Sequence, residues 1–259
     1  MTDRKKILIT GAASGIGKET ALFFAQQNWF VGLLDINAAG LASLQDQIGY
    51  ENCFAGIVDV TSAKDVEQTF GNFAQKTGNQ LDALFNNAGI LKFGRFEEVP
   101  IESSLHVVDV NLKGILNCTY HAIQMLKRSS SPVIVNMAST SAIYGVPELA
   151  AYSSSKHAVC SITESLDIEL EAYGIKVCDI LAPYVKTPLL DGGDEVYSVK
   201  KMGIGLTPDV IAKTVWKAVH GNKLHWKVGA STHLLFILFW LLPFLRRSIV
   251  KKLTICPNG

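Results

Sequence analysis

"KILITGAASGIGKETALFFAQQNW", residues 6–29, decides how the rest of this chain is read. Lys6–Thr10 is a short, nearly all-apolar run of the kind that forms a buried strand. From Gly17 to Trp29 the apolar residues fall at helical spacing, which predicts an amphipathic helix. Between them lies "TGAASGIG", Thr10–Gly17. Glycines at 11, 15 and 17 let the backbone turn tightly and approach a bound group. The helix that starts there offers unpaired N–H groups and the positive end of its dipole, a combination suited to a pyrophosphate.

The same alternation continues outward. Phe30–Asp35, Cys53–Val60, Leu81–Gly89, Pro132–Ser139 and Gly174–Val185 read as further strands, with His225–Ala230 as a seventh. Helical patterns separate them, including one long helix over residues 103–127 and another opened by "AYSSSKHAV", Ala151–Val159. Apolar strands alternating with helices predict an α/β fold, a doubly wound parallel sheet of about seven strands covered on both faces. No linker, repeat or low-complexity tract divides the chain, so residues 1–259 are expected to form a single domain. The stretch 187–206, "TPLLDGGDEVYSVKKMGIGL", is glycine-rich and of mixed polarity, as expected of a substrate loop at the carboxyl edge of the sheet.

Bulk properties narrow the function. At 259 residues, 48% hydrophobic and 18% charged, the chain can bury a substantial core. A net charge of +1 gives no electrostatic footprint for nucleic acid. Cys53, Cys118, Cys160, Cys178 and Cys256 are scattered, and the six histidines show no ligand spacing, so neither a metal nor a disulfide framework is expected. "MTDRKKILIT" runs from charge straight into a strand, unlike a secretory leader, and the expected location is the cytoplasm.

Asp35 ends the second strand, 18 positions beyond Gly17, where a carboxylate can grip adenosine ribose hydroxyls. A carboxylate repels a 2′-phosphate, and the neighbours Ile36, Ala13 and Ser14 supply no cation to offset it, so NAD(H) is expected over NADP(H). Further on, Tyr152 and Lys156 stand four apart on one helix, presenting a phenol and an ammonium to the same place. A nearby cation favours the phenolate and would bring an otherwise mismatched group toward neutral pH.

Together these motifs resemble the short-chain dehydrogenase/reductase family over roughly residues 6–187. "TGAASGIG" is similar to the family's TGxxxGxG, "NNAG" (Asn86–Gly89) to its fourth-strand motif and "YSSSK" to its YxxxK. The resemblance implies a Rossmann-type fold with Gly11, Ser14, Gly15, Ile16 and Gly17 around the pyrophosphate. It also implies that Asp59 and Val60 hold the adenine and that Asn87 and Gly89 lie beside the cofactor. Pro183, Val185 and Thr187 are implied near the carboxamide. Asn111 and Ser139 fall on the family's catalytic asparagine and serine, the latter 13 residues before Tyr152. The implied roles are Tyr152 as acid/base, Lys156 on the nicotinamide ribose, Ser139 on the substrate oxygen and Asn111 in a water-linked proton relay. Tyr184 departs from the family, replacing a glycine in "PYVKT" (Pro183–Thr187), and is expected to narrow or line the substrate pocket. Family members associate through their long helices, which implies a homodimer or homotetramer.

The tail is unlike the family's. Val228–Leu245 contains no Lys, Arg, Asp or Glu, and "LLFILFWLLPFL" (Leu234–Leu245) is continuously apolar before Arg246, Arg247, Lys251 and Lys252. Its length falls short of the ~20 residues a spanning helix needs, and Pro243 interrupts it. Three readings stand for residues 228–253: packing on a second subunit, peripheral contact with the inner face of a membrane through 234–252, or a greasy mouth for substrate. All point to a lipophilic substrate. The expected function is NAD-dependent hydride transfer between nicotinamide and a lipophilic secondary alcohol or ketone. An NADH-dependent 3-oxoacyl reductase is the second enzymatic reading, and a non-catalytic nucleotide-sensing or scaffolding homologue is the rival of another class.

Overall fold

The structure, a computed structural model, describes residues 4–192 and 196–255. Cys256 and positions 193–195 of the expected substrate loop lie outside the described residues. The elements run β1 (Lys6–Thr10), α1 (Gly15–Gln26), β2 (Phe30–Asp35), α2 (Ala38–Ile48), β3 (Cys53–Ile57), α3 (Ala63–Thr77) and β4 (Ala83–Asn86). They continue with α4 (Ile101–Val108), α5 (Gly114–Leu126), β5 (Val133–Met137), α6 (Ala150–Leu170) and β6 (Lys176–Leu181). The last are α7 (Tyr197–Met202), α8 (Pro208–His220), β7 (His225–Lys227), α9 (Ala230–Leu241) and α10 (Arg246–Thr254).

Seven parallel strands form one sheet in the order β3-β2-β1-β4-β5-β6-β7. Side chains alternate between its faces. Ile7, Ile9, Val31 and Leu33 point to one core with Phe24 of α1, Leu44 of α2 and Val215 of α8. Leu8, Leu34, Leu84 and Ile134 point to the other with Phe73 of α3, Ala122 of α5 and Leu170 of α6. Burial on both faces explains why the strands read as continuous apolar runs. Aromatic edges tighten the first core, where Phe24 meets Trp29 at 5.1 Å and Trp216 at 5.2 Å.

β3 to β7 are all shorter than the sequence reading made them, and two departures from that reading bear on the site. The third strand stops at Ile57, because the Asp59 carboxylate accepts from the Thr61 amide and hydroxyl, both at 2.8 Å, and turns the chain. The expected helix over 103–127 is α4 and α5 joined by a π-helical segment, Asp109–Lys113. That widening carries Asn111, whose buried side chain reaches out to the backbone of Ile90.

Candidate active site

Strand order reverses between β1 and β4, which opens a crevice beyond their carboxyl ends. The glycine turn sits there. Gly11 has φ +67°, and a Cβ on Gly17 would stand 2.0 Å from the Gly11 carbonyl oxygen, so no larger residue fits. Asn87, just after β4, clamps this turn: its amide donates to the carbonyls of Thr10 (3.0 Å) and Gly11 (3.1 Å). The Thr10 hydroxyl in return accepts from the Asn87 and Ala88 amides, both at 3.0 Å. The first turn of α1 then leaves amides free to face an anion.

Beside the turn lies a cleft of about 420 Å³ lined by Gly11, Ser14, Gly15, Ile16, Asp35, Asp59, Val60, Asn87, Gly89 and Thr187. Asp35 receives the Ala13 amide on one oxygen and the Asn37 amide on the other, each at 2.9 Å. A second lone pair on each oxygen stays available to a hydroxyl donor. Among the described residues no Lys or Arg lines this cleft. Gly17 stands behind the turn rather than on the cleft wall. These features fit a bound dinucleotide.

A smaller cavity of about 90 Å³ continues from the cleft, sharing Ile16, Asn87, Gly89, Thr187 and Leu189. Ser139, Tyr152, Lys156, Pro183, Tyr184 and Val185 line it. β5 delivers Ser139, and α6 delivers Tyr152 and Lys156 on successive turns. The start of α6 is fixed by Ser153, whose hydroxyl accepts from the Val146 amide at 3.1 Å.

The electrostatics here depart from the sequence expectation. Burial pushes the Tyr152 phenol up to about 12, while its hydrogen bond with Ser139 pulls the other way and the neighbouring Tyr184 adds to the rise. Burial also holds the Lys156 ammonium down to about 8. Lys156 donates to the Met137 carbonyl at 2.7 Å, and its Nζ stands 5.7 Å from the centre of the Tyr152 ring. The side chains share a face, as the i, i+4 spacing requires, but for the phenol desolvation outweighs the hydrogen bond with Ser139.

Asn111 lines neither cavity. Its carbonyl accepts from the Ile90 amide at 2.9 Å, and its amide donates to the Ile90 carbonyl (3.0 Å) and the Ser155 hydroxyl (3.1 Å). The side chain is thus committed to holding the segment after β4 against α6.

Tyr184 lines the pocket as expected, and several further contacts escaped the sequence reading. The Tyr184 hydroxyl also bonds Ser198 of α7 at 2.9 Å, tying the pocket wall to the loop. Ser141 lines the same cavity with a buried hydroxyl that has no partner among the described residues. Beneath the site, Asn86 donates to Asn136 (2.9 Å) and Thr119 (3.1 Å), and Asn136 donates to Thr163 (2.9 Å), which ties β4 and β5 to α5 and α6. Asparagines inside an otherwise apolar strand were the only available signal for this network.

A family model described as short chain dehydrogenase matches residues 5–195. Cyclohexanol dehydrogenase of Acinetobacter sp. (strain SE19) is 33% identical over 217 residues, covering 82% of this chain and 86% of that protein. Among solved structures, 3-ketoacyl-(acyl-carrier-protein) reductase from Brucella melitensis, complexed with NADH, is 32% identical with a TM-score of 0.78, over 86% of this chain and 96% of that one. A short chain dehydrogenase/reductase from Burkholderia phymatum, in complex with NAD, shares the fold with a TM-score of 0.83 at 23% identity, over 94% of this chain and 95% of that one. The turn, the cleft and the Ser139–Tyr152–Lys156 cavity thus belong to a sequence that is itself similar to such enzymes over most of its length: the chain is an oxidoreductase of the short-chain dehydrogenase/reductase family.

Proposed function

We propose that this protein transfers a hydride between NAD(H) and a secondary alcohol or ketone of lipophilic character, with Tyr152 as acid/base. One observation carries the reading: the cavity holding Ser139, Tyr152 and Lys156 opens into a cleft that presents Asp35 and, among the described residues, no Lys or Arg. Bound nicotinamide supplies or accepts the hydride. Tyr152, protonated at neutral pH, gives its proton to a carbonyl oxygen in reduction; in oxidation it must first lose that proton, and its phenolate then takes the proton of the alcohol. Ser139 hydrogen-bonds that same oxygen and stabilises charge developing on it. Lys156 holds the nicotinamide ribose, and Asn111 holds a water that links Lys156 to solvent as a proton relay.

Asp35 accepts a free 2′-hydroxyl and repels a 2′-phosphate, hence NAD(H) over NADP(H). Gly11, Ser14, Gly15, Ile16, Gly17, Asp59, Val60, Asn87, Gly89, Pro183, Val185 and Thr187 complete the cofactor site in this reading. Similarity to cyclohexanol dehydrogenase supports an alcohol or ketone substrate. A 3-oxoacyl substrate reduced with NADH is the second reading, favoured by similarity to the Brucella reductase and by a phenol that keeps its proton. Residues 1–259 act as one domain with 187–206 as the substrate loop. Apolar side chains exposed on α5 and α6, Leu116, Tyr120 and Ile168, support a homodimer or homotetramer. The location is the cytoplasm, peripheral to the inner face of a membrane.

The test follows nicotinamide absorbance with NAD or NADP across secondary alcohols of rising chain length and 3-oxoacyl thioesters. NAD-linked turnover that climbs with lipophilicity supports the first reading, and thioester preference the second. Tight NADH binding with no turnover of any compound favours a nucleotide sensor.

A further inference from the structure

The α9–α10 pair has two unlike sides. Inward, Phe239 meets Tyr144 edge-on at 5.5 Å, and Tyr144 lines the inner cavity. Ile249 and Val250 of α10 join the same cluster. Outward, Leu234, Ile237, Trp240, Leu241 and Phe244 are each 53–75% exposed. Apolar surface of this extent on one hairpin calls for a partner.

Charge identifies that partner. Arg246, Arg247, Lys251 and Lys252 are exposed along α10, directly after the apolar leg. Residues 228–259 contain four of the chain's 24 basic residues and none of its 23 acidic ones, so a chain of net charge +1 divides into an acidic body and a cationic tail. A second copy seated symmetrically on this face would bring two clusters of four cations together, and α9 and α10 themselves carry no carboxylate to separate them, Glu164 of α6 being the acidic group beside Arg246. No single helix among the described residues is long and apolar enough to cross a membrane, and the two legs bend by 110°. An apolar leg, an exposed tryptophan and a cationic leg meeting at a sharp bend suit a helix pair lying in the headgroup region.

We infer that α9 and α10 dock this protein on an anionic phospholipid bilayer, with the α9 apolar face in the acyl boundary and the α10 cations on the headgroups. α10 also packs on α7, whose Ser198 holds Tyr184 in the pocket wall, so the docked face adjoins the cavity. This link to catalysis rests on the lipophilic-substrate reading, whereas docking itself is read without turnover.

The experiment floats the full chain with phosphatidylcholine vesicles, with and without phosphatidylserine, and monitors tryptophan emission. The expected result is flotation with phosphatidylserine only, reversed by high salt, with a blue shift absent from Trp240→Phe. Lys251→Glu/Lys252→Glu should weaken partition by about tenfold or more while NADH binding stays intact. Trp240→Ser/Phe244→Ser should weaken it similarly. Three results overturn the inference: no flotation with phosphatidylserine, equal partition of the charge-reversed variant, or dissociation of an oligomer by Trp240→Ser/Phe244→Ser without any lipid binding. The last would assign the face to a second copy.

Discussion

Lys156 donates its ammonium to the Met137 carbonyl at 2.7 Å, inside a pocket where burial holds it down to about 8. Tyr152 on the same face is pushed up to about 12. Over the neutral range the pair therefore carries one cation and one neutral phenol. With a ketone and NADH, kcat/KM should stay level from about pH 6 to 7.5 and fall above about 8, as Lys156 loses the charge that orients it. A pH profile of kcat/KM checks this, and a rate that keeps rising to pH 10 would contradict it.

The same shift has a stability consequence. Lys156 binds its proton less tightly folded than unfolded, so its burial costs most below about pH 8, and that cost fades as pH rises toward 10.5. Lys156→Met removes the titrating group. The stability of the wild type relative to this variant should rise between pH 8 and 10, measured by urea unfolding at each pH.

Asn111 satisfies both the N–H and the C=O of Ile90. Asn111→Ala leaves these part-buried groups without their partner and should cost about 1–3 kcal/mol, with turnover falling further than stability alone explains. Denaturant midpoints and kcat on the same preparations separate the two effects. A variant as stable as wild type would mean that the α4–α5 junction is held by other contacts.

Asp35 decides the cofactor in this account. Asp35→Ser should lower the NAD-over-NADP preference in kcat/KM by roughly tenfold to a hundredfold, about 1.4–2.8 kcal/mol. Side-by-side assays with both cofactors give the ratio directly. An unchanged ratio would assign the discrimination to another part of the cleft.

Tyr184→Phe keeps the ring in the pocket wall and removes the bond to Ser198. The expected result is a KM for the alcohol raised about three- to tenfold with kcat nearly unchanged, and faster proteolytic nicking within 196–206. A kcat-only effect would place Tyr184 in the chemistry instead of the loop.

Much of this was legible in the residues, and the exceptions have physical causes. β1 and β2 run as the apolar pattern predicts, Lys6–Thr10 and Phe30–Asp35, because both faces of those strands are covered. Glycine spacing and Asp35 are local signals, and they marked the cofactor cleft. The π-helical turn at Asn111 was hidden, since its cause, the unpaired backbone of Ile90, lies 21 residues away. Likewise, i, i+4 spacing brought Tyr152 and Lys156 to one face but carried no information on burial, which sets their acidities. Tyr184 stood out as a departure from the family, yet its bond to Ser198 depends on where α7 folds back.

The most direct test of the central claim is Tyr152→Phe, assayed for NADH binding by fluorescence and for turnover by nicotinamide absorbance with the best alcohol or ketone found. NADH affinity should stay within about twofold of wild type while kcat falls by roughly 10²–10⁴-fold. Turnover retained within a few-fold would contradict Tyr152 as the acid/base.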